Sequence, residues 1–289
     1  MNRHLIQTAE EKFRRKQHRL EQQQAKKFKT FLLSRENSLT SLLTDNDRIL
    51  LNHIRHSYET RTQHFHPCDI LPELLLHNDF FLQFSTLDEF INVRSISILR
   101  LILFFKLASS QFQHLNTDDK VALVKFNTPT LFWLNISLAY NSTTNTFCED
   151  EYNDLILNGK DFIDFYGLDI YNQILKYQNL LQSFIEIDPM IIYLLILILL
   201  FSHYSSCTSL AEPILHEQSL IFNIQNFYLN LLVKFLSEKF DEQHVNYLLS
   251  KLILVCLNIQ NLNRDVGLIE SSQIFNENIL SLMKVFLIR

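Results

Sequence analysis

Phe112 to Lys125 reads FQHLNTDDKVALVK, and it lies between two apolar runs, LRLILFFKLA (Leu99 to Ala108) and LFWLNISLAY (Leu131 to Tyr140). Thr117 or Asp118 can cap a short helix through Lys125, because a side-chain oxygen there meets first-turn amides and an anionic first turn suits the helix dipole. Pro129, preceded by Thr128, restarts the helix, since the first helical position has no use for the amide that proline lacks. The region therefore predicts helices joined by very short turns. The composition agrees. Only 3 Gly and 5 Pro punctuate 289 residues, too few for the tight turns of an antiparallel β-fold. The fold class is all-α, and 47% apolar residues, 24 of them Phe, suffice for the core of one large domain.

Outward from that region the same pattern continues. Leu39 to Arg61 predicts a helix capped by Thr44 or Asp45, with Ile49, Leu50, His53, Ile54 and Tyr58 along one stripe. Residues 62–86, with Pro67 and Pro72, read as a loop with short helical pieces, and a long helix follows from Leu87 to Ala108. Asn141 to Phe162 carries turn residues and an Asn158-Gly159 pair suited to a hairpin or turn. Further helices are expected at 168–186, 189–204, 213–239 and 242–263, with a last segment at 273–289. MIIYLLILILLF, Met190 to Phe201, is apolar all round but twelve residues long. About twenty are needed to span a bilayer, so it predicts a buried central helix and no membrane partner.

Charge is uneven. Nine Lys or Arg against three Glu in residues 1–30 leave that arm at +6 and the rest of the chain at -11. Residues 1–36 read as a polar helix or flexible arm able to meet acidic partners, lipid or nucleic acid through nonspecific contacts. The first thirty residues are charged rather than apolar, which argues against a secretory signal. Cys68, Cys148, Cys207 and Cys256 stand far apart with no C-x-x-C pair, which excludes a zinc ribbon and suits a reducing compartment. His53 and His56 share a helix face and His64, His66 and Cys68 follow in a loop, a metal-like set of residue types, but 11 His in one chain make chance clustering common and no metal is expected. No nucleophile elbow, phosphate loop, dinucleotide fingerprint or H-E-x-x-H motif is present, and the chain does not read as an enzyme or as a cofactor protein.

The spacing F-x-x-L-x-x-x-D-K-x-x-L-V-K from Phe112 to Lys125, set after FFKLASSQF, resembles the signature of nuclear receptor ligand-binding domains. Leu39 to Arg61 is similar to that family's first helix, and DPMIIYLLILILLFS, Asp188 to Ser202, to its helix 8. QNFYLNLLVKFL (Gln225 to Leu236) and LSKLILVCLNIQNLN (Leu249 to Asn263) resemble its helices 9 and 10, so the likeness runs over about residues 38–275. It implies a three-layer antiparallel helical sandwich with one small β-hairpin at 37–289, preceded by a basic hinge-like arm at 1–36.

The resemblance also implies sites. A groove for short amphipathic coregulator helices would have Ile102, Leu115 and Val121 as its floor, with Lys106 and Lys125 as its basic residues. An internal pocket for a lipophilic small molecule would be lined by Ile96, Leu99, Leu103, Leu134 and Leu138, with Asn135 where some members carry an anchoring Arg. A homodimer, or a heterodimer with another receptor, would form through Tyr228, Lys251, Leu254 and Leu257. Function would be transcriptional regulation in the nucleus, with the cytoplasm as a second location. The alternative is a helical interaction or scaffold protein with neither ligand nor transcriptional output.

Several positions depart from the family pattern. Six residues separate Lys106 from Phe112 where the family usually has five, and the intervening proline is missing. Thr130 and Ile191 stand where the family has buried Glu, and Gln260 where it has Arg. Losing both signs together is coherent, since one unpaired buried charge would cost several kcal/mol. The C-terminal ILSLMKVFLIR, Ile279 to Arg289, has no acid at the position that clamps a partner helix, the nearest being Glu277. That predicts weak or absent ligand-dependent activation. The family's zinc-finger DNA-binding module is not in this chain, so sequence-specific DNA reading by it alone is not expected.

Overall fold

MIIYLLILILL becomes the central rod of the molecule: in helix α7, Met190–Leu200, every residue except Leu199 is buried. A computed structural model of the chain describes residues 42–64, 87–148, 157–202, 215–270 and Leu287. The basic arm, the loop with Pro67 and Pro72, His66, Cys68, Cys207, the acidic loop at 149–151 and the C-terminal segment apart from Leu287 lie outside the described residues. In chain order the other elements are α1 (Asp45–Thr60), a 3-10 turn (Arg61–His64), α2 (Leu87–Ala108), α3 (Ser110–His114) and α4 (Thr117–Leu138). Strands β1 (Tyr140–Asn141), β2 (Thr146–Phe147) and β3 (Leu157–Asn158) follow. After them come α5 (Gly159–Tyr166), α6 (Leu168–Ile185), α8 (Gln218–Lys239) and α9 (Glu242–Glu270).

The helices form the expected three layers. α4, α7 and α8 pack together in the middle; α1 and α2 cover α4 and α7 from one side, while α6 and α9 cover the layer from the other. An all-apolar helix suits only the middle layer, where neighbours surround it. Large aromatic side chains fill the space between layers, among them Phe104, Phe132, Trp133, Phe162 and Phe184.

Local chemistry explains the boundaries, with three departures from expectation. Thr44 caps α1 through a reciprocal box, its hydroxyl accepting from the Asp47 amide at 3.1 Å while its own amide donates to Asp47 Oδ2 at 3.0 Å. α4, however, is capped by Asn116 rather than Thr117 or Asp118, its Oδ1 accepting from the Asp119 amide at 2.8 Å. Pro129 does not restart a helix but sits inside α4. An interior proline costs about 3 kcal/mol, whereas each large apolar side chain buried returns roughly 2 kcal/mol, and every residue from Asn127 to Ser137 is buried.

The third departure concerns the β-structure. A hairpin is present, but β3 adds to it, giving an antiparallel sheet in the order β1-β2-β3 with Tyr140 opposite Phe147 and Thr146 opposite Asn158. Asn145 makes the tight turn with φ of 55°. Asn158-Gly159 is instead the junction of β3 with α5, where the Asn158 amide donates to Asp161 Oδ2 at 2.7 Å. A Cβ at Gly159 would run into the Tyr171 hydroxyl and the Asn145 side chain, so any other residue there must displace them.

Candidate functional site

The Phe112 to Lys125 stretch builds a pinned corner between α2, α3 and α4. Ser109 Oγ accepts from the Phe112 amide at 3.1 Å and so caps α3. The Gln113 side chain donates to the Lys106 carbonyl at the end of α2, and Lys120 Nζ donates to the Gln113 carbonyl at 2.6 Å. Asp119, wholly buried, accepts from the His216 amide at 2.8 Å, the Glu217 amide at 2.9 Å and Asn116 Nδ2 at 2.8 Å. Glu217 returns the contact, its Oε2 accepting from the Asn116 amide at 3.2 Å. The corner thereby holds the chain at the start of α8. Beneath it Phe112 lies between Phe105 and Phe201, with ring centroids 5.9 Å and 6.3 Å away.

The five groove residues divide into two sets. Ile102 and Leu115 are buried, whereas Lys106, Val121 and Lys125 are partly exposed. The open apolar surface at this corner comes from Val121 with Ala122 and Phe126, both partly exposed, and Ile102 and Leu115 belong to the core. Ala122 and Phe126 share the Val121–Lys125 face by helical spacing, a signal the sequence already contained. Lys120 is a further basic group: its ammonium is held below the ordinary lysine range, first by burial and then by the charge of Lys106. Two ammonium groups therefore share one positive field at the α2 end of the corner.

Among the pocket candidates, Ile96, Leu99 and Leu134 are buried while Leu103 and Leu138 are partly exposed. Asn135 is wholly buried and closes a polar knot with α1. Its Oδ1 accepts from the Tyr58 hydroxyl at 2.7 Å and from Arg61 Nη2 at 3.4 Å. Arg61 also donates to the Tyr58 carbonyl at 2.6 Å and lies 3.5 Å from the Tyr58 ring centroid. The Asn135 carbonyl is thus engaged within the chain, a role that sequence reading missed because it cannot say which neighbour a buried amide faces.

At the positions that depart from the family pattern, Asn263 Nδ2 donates to Thr130 Oγ1 at 2.9 Å across a buried contact between α4 and α9. Ile191 is wholly buried. A neutral pair and an apolar side chain need no counter-charge at these two positions.

On the proposed dimer face, Leu254 and Leu257 are 49% and 52% exposed, joined on α9 by Tyr247 and Ile253. Lys251 lies over the Tyr247 ring, its Nζ 4.6 Å from the centroid. Tyr228 is not on that face: it is 0% exposed, stacks on Phe201 and donates its hydroxyl to Gln111 Oε1 at 3.3 Å. The sequence misplaces it because α8 carries apolar residues around its circumference, with Phe222, Phe227 and Leu229 outside. α9 is the one helix, among the described residues, long and apolar enough to cross a bilayer, and 33% of its apolar window is buried in the protein. His53 Nε2 donates to the Leu107 carbonyl at 2.8 Å, at the end of α2. No group of three or more His, Cys, Asp or Glu side chains converges among the described residues.

No protein-family model matches the chain, and no curated protein matches its sequence significantly.

Proposed function

We propose that the chain is a nuclear-receptor-like transcriptional regulator that recruits helical coregulator motifs at the α2–α3–α4 corner. The observation that supports this most is the coincidence of the Phe112–Lys125 spacing with a rigid corner whose outer surface combines Val121, Ala122 and Phe126 with Lys106 and Lys125. An amphipathic helix would lay its apolar side on the first set, and the lysines would meet its C-terminal carbonyls and any acidic flank. The Leu254–Leu257 face of α9 would carry a homodimer or a receptor heterodimer, and a small lipophilic ligand held inside would tune the affinity for coregulators. Such a protein acts in the nucleus.

The test is a reporter assay with the chain fused to an unrelated DNA-binding module. A change in reporter output that Val121→Asp abolishes supports the reading, and an unchanged reporter with a folded, expressed fusion counts against it. One observation favours the alternative, a helical scaffold without ligand. Asn135, the position matched to a ligand anchor, already bonds Tyr58 and Arg61. Native mass spectrometry of the purified chain separates the two, since a co-purifying lipophile of defined mass supports the receptor-like reading.

A further inference from the structure

α8 carries an uncharged apolar strip that neither the groove nor the α9 face uses. Leu220 and Phe227 are 43% and 40% exposed, and at seven residues apart they share one stripe of the helix. Asn223 and Asn230, both exposed, lie along the same stripe, and Lys234 and Glu238 continue it toward the C-terminal end. No charged residue occurs from Gln218 to Val233, whereas the outer face of a surface helix is ordinarily charged or polar. Phe222 and Leu229 are also exposed, but Phe222 stands about 140° round the helix from Phe227, on a separate stripe.

The residues that lead into α1 are anchored on the first of these stripes. The Leu42 amide donates to Glu238 Oε2 at 2.9 Å and Arg48 Nη2 to Glu238 Oε1 at 2.5 Å, while Lys234 Nζ donates to Asp47 Oδ2 at 3.0 Å. The chain ahead of Leu42 therefore starts from the C-terminal end of the Leu220–Phe227 strip. Residues 28–41, FKTFLLSRENSLTS, lie outside the described residues, and their sequence suits that strip. Phe28, Phe31, Leu32 and Leu39 fall at i, i+3, i+4 and i+11, on one apolar face of a helix. The charges between 30 and 41 are Arg35 and Glu36, which cancel. Lengths match as well: Phe31 stands eleven residues before Leu42, and Phe227 eleven before Glu238. A helix laid parallel to α8 from that anchor brings Phe31 level with Phe227, about 17 Å from the anchor.

We propose that residues 28–41 form a strap along this flank of α8, with Phe31 on Phe227 and Phe28 toward Leu220. The tether at Leu42 gives the segment an effective concentration on the order of millimolar at this surface, an advantage that a second copy or a separate partner lacks. Strip and residues 30–41 both lack net charge, so their contact strands no charge. The strap closes this flank to partners and leaves α9 as the face for a second copy. It also directs the basic residues ahead of Phe28 toward the N-terminal end of α8. The assignment is independent of peptide binding at the groove.

Limited trypsin digestion of the full chain tests the strap, with Arg35 inside it and Arg19 ahead of it. Cleavage after Arg35 is expected to be at least about ten-fold faster in Phe227→Asp than in the wild type, because cleavage follows the undocked population and losing one buried Phe shifts docking by more than that factor. Cleavage after Arg19 should be the same in both. Phe31→Asp alters the strap and leaves the described helices untouched, so it should give the same acceleration and keeps the test decisive if Phe227→Asp does not fold. Leu254→Asp on α9 should leave the Arg35 rate unchanged. Cleavage after Arg35 as fast in the wild type as in Phe31→Asp overturns the proposal. So does acceleration by Leu254→Asp, which would put the segment on α9. Conversion of a wild-type dimer to monomer by Phe227→Asp also overturns it, since a second copy would then be the occupant.

Discussion

Asn135 shows what a single buried polar side chain does in this protein. Its carbonyl oxygen ties α4 to Tyr58 on α1 and to Arg61 just beyond it, so the first helix is held by hydrogen bonds as well as by packing. Tyr58→Phe removes the 2.7 Å bond that the Asn135 oxygen accepts from α1. It should cost about 1–2 kcal/mol in urea denaturation. Gly159 makes a different demand: the Tyr171 hydroxyl and Asn145 side chain occupy the place of a Cβ. Gly159→Ala should lower stability by about 1–3 kcal/mol through forced displacement of that contact, with the melting temperature as the measure. Neither effect was legible in the sequence. An Asn within an apolar run announces burial with a partner but not which partner, and Asn158-Gly159 looks like a hairpin turn until Tyr171 is placed beside it.

Elements are joined at a few ionic and polar hubs. Asp188, in the turn before α7, accepts from Arg55 of α1 at 3.0 Å, from Lys239 of α8 at 2.6 Å and from the Met190 amide at 2.9 Å. Burial alone would raise its pKa, but Lys239, the Met190 amide and Arg55 together outweigh burial, and the net direction is down from 3.8. A depressed folded-state pKa contributes stability at pH values above the unfolded one and loses it as pH falls through the folded one. Between about pH 5 and about pH 2, the wild type should therefore lose more stability than Asp188→Asn, whose three-element contact is already weakened. Equal acid sensitivity of the two would show that the hub contributes nothing. Asp119 is the second hub, and it explains why the cap of α4 falls at Asn116. Asn, Thr and Asp at 116–118 are all competent caps, and only the burial of Asp119 against the amides of 216 and 217 fixes the choice. Helix existence and type were readable from apolar spacing, and α7 above all, because twelve consecutive apolar residues have one stable home. Boundaries were not, since they are decided by contacts a hundred residues away.

At the scale of the whole molecule, the helical class and the buried central helix follow from composition, with few glycines, many large apolar side chains and one helix apolar on every side, whereas the three layers were an expectation of the resemblance. Which surfaces face a partner is less legible, because apolar residues exceed what the core can enclose. Tyr228 went inside while Leu254 and Leu257 stayed out. If that face carries a dimer, Leu254→Glu with Leu257→Glu should convert dimer to monomer in sedimentation equilibrium, and a wild type already monomeric at high concentration would remove the dimer from the account. The groove is the central claim, and its residues were readable only as a set: Val121, Lys106 and Lys125 are at the surface, while Ile102 and Leu115 lie beneath it. The most direct test is fluorescence polarisation of labelled coactivator-type and corepressor-type helical peptides on the wild type and Lys106→Glu. Saturable binding of at least one peptide class is predicted, weakened about ten-fold or more by the charge reversal, equivalent to about 1.4 kcal/mol. Folded wild-type protein that binds neither class, or binding that Lys106→Glu leaves unchanged, would contradict it.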